Sequence, residues 1–275
     1  MIRKKNTYSA PALEKGLDII ELLSRSFLGL SQAEIAKELK RSVNEIYRML
    51  NILVARNYIE LDTDSERYKL TYKLLQLSSQ HQPIKNILEK SLPMMREVAQ
   101  LCNHSVHLSI YYAGKLLVIS QVDSPSSFNY SVKAGSNFDL LETSSGRVLL
   151  AFQTEEERER RLKRRKLFMN LQNKKSTALS SSLEKKFSSK IIYEIIKNKC
   201  EVVKSLQVNG VTNISVPIFD HTNNAIAAVT IPFLQRVNRD MDTGLSLAGT
   251  TKLLKNHSII LSKKLSDNVV FVYKI

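Results

Sequence analysis

Two stretches of four residues constrain this chain more than anything else in it. Ser31-Gln32-Ala33-Glu34 and Ser42-Val43-Asn44-Glu45 both read Ser-x-x-Glu. In such a capping box the hydroxyl and the carboxylate each satisfy a free backbone N–H at the first turn of a helix. Ile35, Ala36 and Leu39 give the first helix a face to bury; Ile46, Met49, Leu50 and Leu53 do so for the second, which runs to Arg56. Only Lys40 and Arg41 separate the two. That junction is too short for the helices to lie antiparallel, so a crossed pair is expected, the geometry of a helix-turn-helix. An earlier helix starts at Pro11. Its buried face is expected to carry Leu13, Leu17 and Ile20, with Leu23 beyond them, and Gly29 ends the run.

The next residues add a wing. Tyr58-Ile59-Glu60-Leu61 and Arg67-Tyr68-Lys69-Leu70 alternate as strands, with turn chemistry in Asp62-Thr63-Asp64-Ser65 between them. A hairpin directly after the crossed pair makes a winged helix, whose second helix offers its N-terminal residues to base edges in the DNA major groove. Asn44 and Arg48 are the expected base readers, because Asn bonds adenine and Arg bonds guanine through two contacts each. Tyr47 suits a phosphate or a thymine methyl. Lys40, Arg41 and Ser42 are expected on phosphates, which position the protein without specifying sequence. Ser31 and Val43, at the two helix starts, complete that set, with Arg67 and Lys69 on the wing and Arg3, Lys4 and Lys5 in an N-terminal arm. The box already accounts for Glu45, and an internal salt bridge is the competing role for Arg48. Tyr72 to Gln82 then forms a connector helix through Leu74, Leu75 and Leu77, ending at Pro83.

Beyond residue 84 the texture changes. Asn86 to Cys102 is helical in pattern despite Pro93. Ser105 to Tyr112 alternates, turns at Ala113-Gly114 and is answered by Leu116 to Ser120, a hairpin. Ser127 to Lys133 reads as a third strand. Ser144-Ser145-Gly146 opens a helix, and Thr154 to Glu157 caps a charged one. A polar loop spans Asn170 to Ser182, and Leu183 to Lys199 reads as one helix. Ile214 to Phe219 and Ala225 to Ile231 make a second hairpin, and Leu245 to Lys264 a closing helix. Strand pairs and helices that do not alternate strictly indicate α+β with an antiparallel sheet.

Composition removes whole classes of function. At 275 residues the chain holds one large or two ordinary domains. With 43% apolar and 24% charged residues it is a globular chain and not a disordered one. No apolar run approaches the roughly 18 residues of a membrane span, and no apolar core follows the basic start, so neither an anchor nor a signal peptide is expected. The cysteines are only Cys102 and Cys200, which excludes a disulfide framework and suits the cytoplasm. Net charge is +15, and residues 155–204 alone hold fifteen basic and seven acidic side chains. That excess keeps a polyanion partner plausible without locating the face that binds it. The run from Arg158 to Lys166 reads as a charged, solvated helix face.

In order and spacing, several segments together resemble the IclR family of bacterial transcriptional regulators over nearly the whole chain. They are Ala12-Leu13-Glu14-Lys15-Gly16-Leu17-Asp18-Ile19-Ile20, Leu30-Ser31-Gln32-Ala33-Glu34-Ile35-Ala36, Ile46-Tyr47-Arg48-Met49-Leu50, Tyr58-Ile59 and Tyr68-Lys69-Leu70. Further on they are Val106-His107-Leu108, Thr143-Ser144-Ser145-Gly146-Arg147-Val148-Leu149-Leu150-Ala151-Phe152, Gly210-Val211 and Val216-Pro217-Ile218-Phe219-Asp220. The resemblance implies a winged helix-turn-helix over residues 8–70, a linker helix over 71–85 and, over 86–275, a GAF-like α/β domain with an antiparallel sheet that binds an effector and oligomerises. It implies double-stranded DNA and a small molecule as partners, a homodimer or homotetramer, and no enzyme activity. Many members carry a Lys-Ser-Thr-like stretch where this chain has Val43, Asn44 and Glu45, so their base preference does not transfer. Some place a serine or cysteine where this chain has Asn213 and Pro232, so their ligand does not transfer either.

The resemblance places Val132, Leu140, Gly146, Val211, Asn213 and Thr230 near the effector, with Ser145 at the helix start beside them. Val132, Leu140 and Val211 would be apolar wall, and Asn213 and Thr230 polar anchors. The free N–H groups and positive end of the helix that begins at Ser144-Ser145-Gly146 suit a carboxylate. The competing reading makes Gly146 a packing glycine and Thr230 a solvent-facing strand residue. Cys102, His104 and His107 have ligand types that suit zinc, but no fourth ligand is evident and the spacing straddles a helix end and a strand. Neither a metal nor a cofactor is expected. No nucleophile–base pair or phosphate-binding glycine loop stands out. The remaining alternative is a sensor or enzyme domain carrying the winged helix as a protein-interaction module.

Overall fold

The computed structural model describes residues 10–80, 82–127, 129–171, 182–184, 186–235 and 244–266. These fall into two compact units, residues 1–85 and 86–275. The N-terminal arm with Arg3, Lys4 and Lys5 lies outside the described residues, as do residues 172–181 of the expected polar loop.

The first unit is α1 (Pro11–Leu23), α2 (Gln32–Glu38), α3 (Val43–Ala55), the hairpin β1 (Ile59–Asp62) and β2 (Arg67–Leu70), and α4 (Lys73–Ser79). Both capping boxes form. Ser31 Oγ accepts from Glu34 N at 3.3 Å while Ser31 N donates to Glu34 Oε2 at 2.8 Å; Ser42 and Glu45 repeat this at 3.3 and 3.2 Å. Lys40 takes a left-handed conformation at φ 52° and turns the chain between α2 and α3. Ile35, Ala36, Ile46, Leu50 and Leu53 pack with Ile59 and Tyr68 into one core. From α1 that core takes Ile19 and Leu23, while Leu13 and Leu17 stay 63% and 49% exposed. Of the expected face, Leu23 is buried and Ile20 packs against the core, while Ile19 replaces Leu13 and Leu17, so the core covers the C-terminal half of α1. Leu30 pairs with Tyr68, tying the segment before α2 to the wing. Gly29 makes this approach possible: it sits at φ 75°, and a Cβ there would meet the Tyr68 carbonyl at 2.6 Å.

The second unit carries α5 (Gln82–Cys102), β3 (Val106–Tyr112), β4 (Lys115–Val122), β5 (Asn137–Asp139), α6 (Ser144–Ala151), α7 (Glu155–Leu171), α8 (Ser189–Asn198), β6 (Glu201–Lys204), β7 (Val211–Phe219), β8 (Ala225–Leu234) and α9 (Leu247–Ser266). Six strands form one antiparallel sheet in the order β5-β4-β3-β8-β7-β6. Strand alternation splits the sheet into two faces. Val106 and Leu108 of β3, Ile214, Val216 and Ile218 of β7 and Val229 and Ile231 of β8 join Met95, Val98, Leu254 and Leu261 of α5 and α9 in one core. The other face packs on Val148, Leu149 and Leu150 of α6.

Three expectations for this unit change. Residues 127–133 form no strand in their described part; the third strand pairing β4 is β5, further along. The stretch from Leu183 is not one helix: the chain is extended at Ser188, the residue before α8. The edge strand β6 was not anticipated, because four residues with Val202 and Lys204 exposed carry almost no periodic signal.

Candidate functional site

On α3 the side chains divide cleanly. Ile46, Leu50 and Leu53 face the core, while Val43, Asn44, Tyr47 and Arg48 are exposed along the outer side of the first two turns. Arg48 makes no ion pair among the described residues, so its competing internal role is not used. Glu45 is held by Lys15 Nζ at 2.7 Å as well as by Ser42, and the two push its pKa down to about 2. Arg41 reaches Asp18 at 3.3 Å. The wing cations are committed inside the unit. Arg67 donates to the Gly29 carbonyl at 2.9 Å and to Glu34 at 3.1 Å, and Lys69 meets Asp62 at 2.7 Å. Ser31 and Ser42 are occupied as caps, and Lys40 is exposed. The outward set that remains is Lys40, Val43, Asn44, Tyr47 and Arg48.

In the second unit, polar side chains are built into the interior. Ser144 Oγ lies 2.7 Å from Ser215 Oγ, Ser215 Oγ 2.7 Å from Thr230 Oγ1, and Thr230 Oγ1 2.8 Å from Ser145 Oγ. This chain of four hydroxyls joins the first turn of α6 to the central strands β7 and β8, and all four residues are at most 2% exposed. Thr143 caps α6 by accepting from Gly146 N at 3.2 Å. Beside the hydroxyls lies a cavity of about 30 Å³ whose lining includes His107, Tyr130, Val132, Ser145, Asn213 and Thr230. His107 is adjacent in register to Thr230. Burial lowers its pKa to about 4, so the ring is neutral at pH 7.

Residues 82–247 match the family described as the bacterial transcriptional regulator IclR C-terminal domain, and residues 12–63 match the IclR helix-turn-helix domain. The chain belongs to the IclR family. Among curated relatives it is similar to the HTH-type transcriptional regulator KdgR of Escherichia coli, with 24% identity over 200 residues, 73% of each chain. Its fold is that of the crystal structure of the Thermotoga maritima IclR, at a TM-score of 0.67 and 23% identity over 92% of this chain and 98% of that one. An IclR homolog from Microbacterium hydrocarbonoxydans, solved in complex with 4-hydroxybenzoate, superposes at a TM-score of 0.71 with 16% identity, covering 92% of this chain and 98% of the other.

Of the effector residues expected from the IclR resemblance, Val132, Ser145, Asn213 and Thr230 meet at the cavity. Thr230 is 1% exposed, so it does not face solvent. Leu140, Gly146 and Val211 are not among its lining residues. Leu140 is fully buried under α6, and a Cβ on Gly146 would lie 2.1 Å from the Leu140 carbonyl. Gly146 is therefore a packing glycine that lets α6 press on the chain before it. Val211 pairs with Leu234 at the far end of the β7–β8 ladder. Sequence reading named Ser144 only as part of the helix start and His107 only as a strand residue of zinc-ligand type, and it passed over Ser215 and Tyr130. A signal was available: His107, Ser215 and Thr230 alternate with Val106, Leu108, Val216, Val229 and Ile231, which marks a polar stripe on one face of the sheet.

The zinc types do not converge: among the described residues no group of three His, Cys, Asp or Glu side chains is placed to hold a metal. His104 is occupied by backbone, with Nδ1 2.6 Å from the Cys102 carbonyl and Nε2 3.2 Å from that of Leu234. The basic run on α7 is not simply a solvated face. Arg158 donates to the carbonyls of Leu150, Ala151 and Gln153, and Arg165 is 1% exposed between Asp139 and Glu184.

Proposed function

We propose that this protein is a cytoplasmic regulator that binds a pseudo-palindromic operator as a dimer or tetramer and releases or tightens it in response to a small acidic metabolite. The observation that carries the DNA half is the division of α3. Its inner face is spent on the core, and Asn44, Tyr47 and Arg48 stand outside it with no internal duty, on the helix that a winged helix sets into the major groove. The lysine and arginine of the wing act through Glu34 and Asp62 to shape the domain, which leaves base reading to α3.

A second copy of the chain is supported by the apolar surface the first unit cannot cover. Leu74, Leu75 and Leu77 on α4 are 39%, 64% and 42% exposed, and none of its seven residues is buried. A helix that short is marginal without packing. Leu13 and Leu17 on α1 add to the same need. In the second unit the hydroxyl-floored cavity at the start of α6 supports an effector site for a carboxylate. A ligand that favours one arrangement of the winged helices over the other by about 1–3 kcal/mol is enough for regulation.

Fluorescence anisotropy with the DNA upstream of the protein's own gene, beside a scrambled duplex and at two salt concentrations, tests this. Tighter binding to the upstream fragment at both salts is expected. Equal, steeply salt-dependent binding to both duplexes would reduce the interaction to attraction between the +15 chain and a polyanion. Binding to neither would return the winged helix to the role of a protein-interaction module.

A further inference from the structure

The cavity beside α6 contains a group that the described residues leave unsatisfied. His107 is 7% exposed, and its Nδ1 is buried without a hydrogen-bond partner among the described residues. Leaving a buried polar atom in that state costs about 1–3 kcal/mol. The ring lines the same cavity as the first turn of α6. There the amides of Ser144 and Ser145 have no acceptor one turn back, since Thr143 Oγ1 takes only the amide of Gly146. Asn213 and Gln207 bring carboxamide donors to the same space. Donor-bearing residues of α6, β3, β7 and the segment after β6 thus line the cavity together.

The charges around the ring are equally one-sided. Among the described residues no Asp, Glu, Lys or Arg lines the cavity, and Tyr130 is the only titratable side chain there besides His107. Across the sheet the ring's neighbours are Gln121 on β4 and Thr230 on β8, and α6 presents serines. An anion entering this space meets no fixed cation and no competing carboxylate.

Given a carboxylate effector at this site, as proposed above, we propose that His107 supplies the matching charge by gaining one proton from water as the acid binds. The assignment rests on the reading of this unit as the effector domain. The acid arrives and stays ionised, and no bond in it breaks; the proton passes from solvent to the imidazole. Without ligand, burial keeps the ring neutral at pH 7. A carboxylate at hydrogen-bond distance favours the imidazolium instead. Affinity for the acid therefore rises as pH falls toward the pKa of the empty site, and a neutral amide of the same shape gains nothing.

Isothermal titration calorimetry on the full chain with propionate, lactate and benzoate, each beside its primary amide, tests the proposal. At least one acid is expected to bind about tenfold or more tighter than its amide. Titrations in two buffers of different ionisation enthalpy should show proton uptake approaching one per acid bound. Affinity should rise by up to about tenfold per pH unit between pH 7 and 5. His107→Asn keeps a donor but cannot titrate, and should bind the acid more weakly with a flat pH profile. The proton count comes from the unaltered protein and stands even where the variant fails to fold. Acids and amides binding alike, or acids binding without proton uptake, would overturn the proposal while leaving the cavity a ligand site. Binding of none of the acids would also overturn it; upstream-DNA binding that persists would then locate the failure in the effector reading and not in the winged helix.

Discussion

The two units of this protein put their polar side chains on opposite sides of their cores. In the first, Asn44, Tyr47 and Arg48 stand outside a wholly apolar cluster built by Ile19, Ile35, Ile46 and Leu50. In the second, Ser144, Ser145, Ser215 and Thr230 are at most 2% exposed and bonded to one another between helix and sheet. On the function proposed above, the difference follows from the partner each unit would meet. DNA is read by a convex surface, whose residues are solvated until they bind and contribute little to folding. A small ligand is read by a cavity, whose polar groups are part of the core and carry its desolvation cost. Substitutions on the reading surface should therefore change binding and spare stability, whereas substitutions among the interior polar groups should change both.

The largest expected effect comes from removing an interior charge. Arg165 is 1% exposed and spans Asp139 and Glu184 at 2.7 Å each. Arg165→Met leaves Asp139 with backbone amides but no cation and Glu184 with Lys166 alone, and should destabilise the second unit by about 3–5 kcal/mol in urea unfolding. Lys15→Met breaks the half-exposed pair with Glu45 in the first unit, and should cost about 1 kcal/mol or less. Equal losses in the two units would break the comparison.

Next comes the pH dependence of His107. Its folded pKa is lowered from 6.5 to about 4 by burial. Between those values the unfolded chain holds a proton that the folded chain refuses. The contribution is complete above pH 6.5 and is lost as pH falls through 4, about 3 kcal/mol in all. Denaturation at pH 7 and 4.5 should show this loss in the native protein and much less of it in His107→Asn. An identical loss in both would assign it to other groups.

How much of this was legible in the sequence differs between the units for the same physical reason. The helix-turn-helix announces itself because caps, turns and hairpins are local: Ser31 with Glu34 and Ser42 with Glu45 each close within three residues. The hairpins β1–β2, β3–β4 and β7–β8 are equally local. What stayed hidden depends on long-range packing. Arg165 sits in a run of charges that looks solvated, and only Asp139 and Glu184 make it a buried residue. On α1 the pattern finds Ile20 and Leu23 but not Ile19, and it counts Leu13 and Leu17 as buried, because which turns of the helix are covered depends on how far the core reaches. The cavity was half visible. Ser145, Asn213, Thr230 and Val132 converge there, but no local signal joins Ser215 to Ser144, which are 71 residues apart.

A smaller effect on a different measurement sharpens the contrast from the other side. Arg48 is exposed and makes no ion pair among the described residues. Arg48→Ala should weaken binding to the upstream fragment by about 1–3 kcal/mol while moving the unfolding midpoint by less than about 0.5 kcal/mol equivalent. Unchanged affinity in a folded variant would remove Arg48 from the reading surface and leave Asn44 and Tyr47 to carry it. A large loss of stability would mean that this surface is not separate from the core after all.

The smallest effect belongs to one of two glycines at helical positions that differ in their surroundings. Gly146 in α6 has no room for a side chain, because a Cβ would lie 2.1 Å from the Leu140 carbonyl, in the crowded interior where the second unit keeps its polar groups. Gly16 in α1 has nothing within 4 Å of a Cβ and a helical backbone. Glycine in a helix costs about 0.5–1 kcal/mol relative to alanine, chiefly through the freedom it retains when unfolded. Gly16→Ala should therefore raise the stability of the first unit by about that amount in thermal or urea unfolding of the full chain. A loss instead would show that Gly16 is covered in solution, and since Leu13 and Leu17 are exposed on the same helix, a second copy packed on α1 would be the cover to look for, by sedimentation of the native protein and the variant.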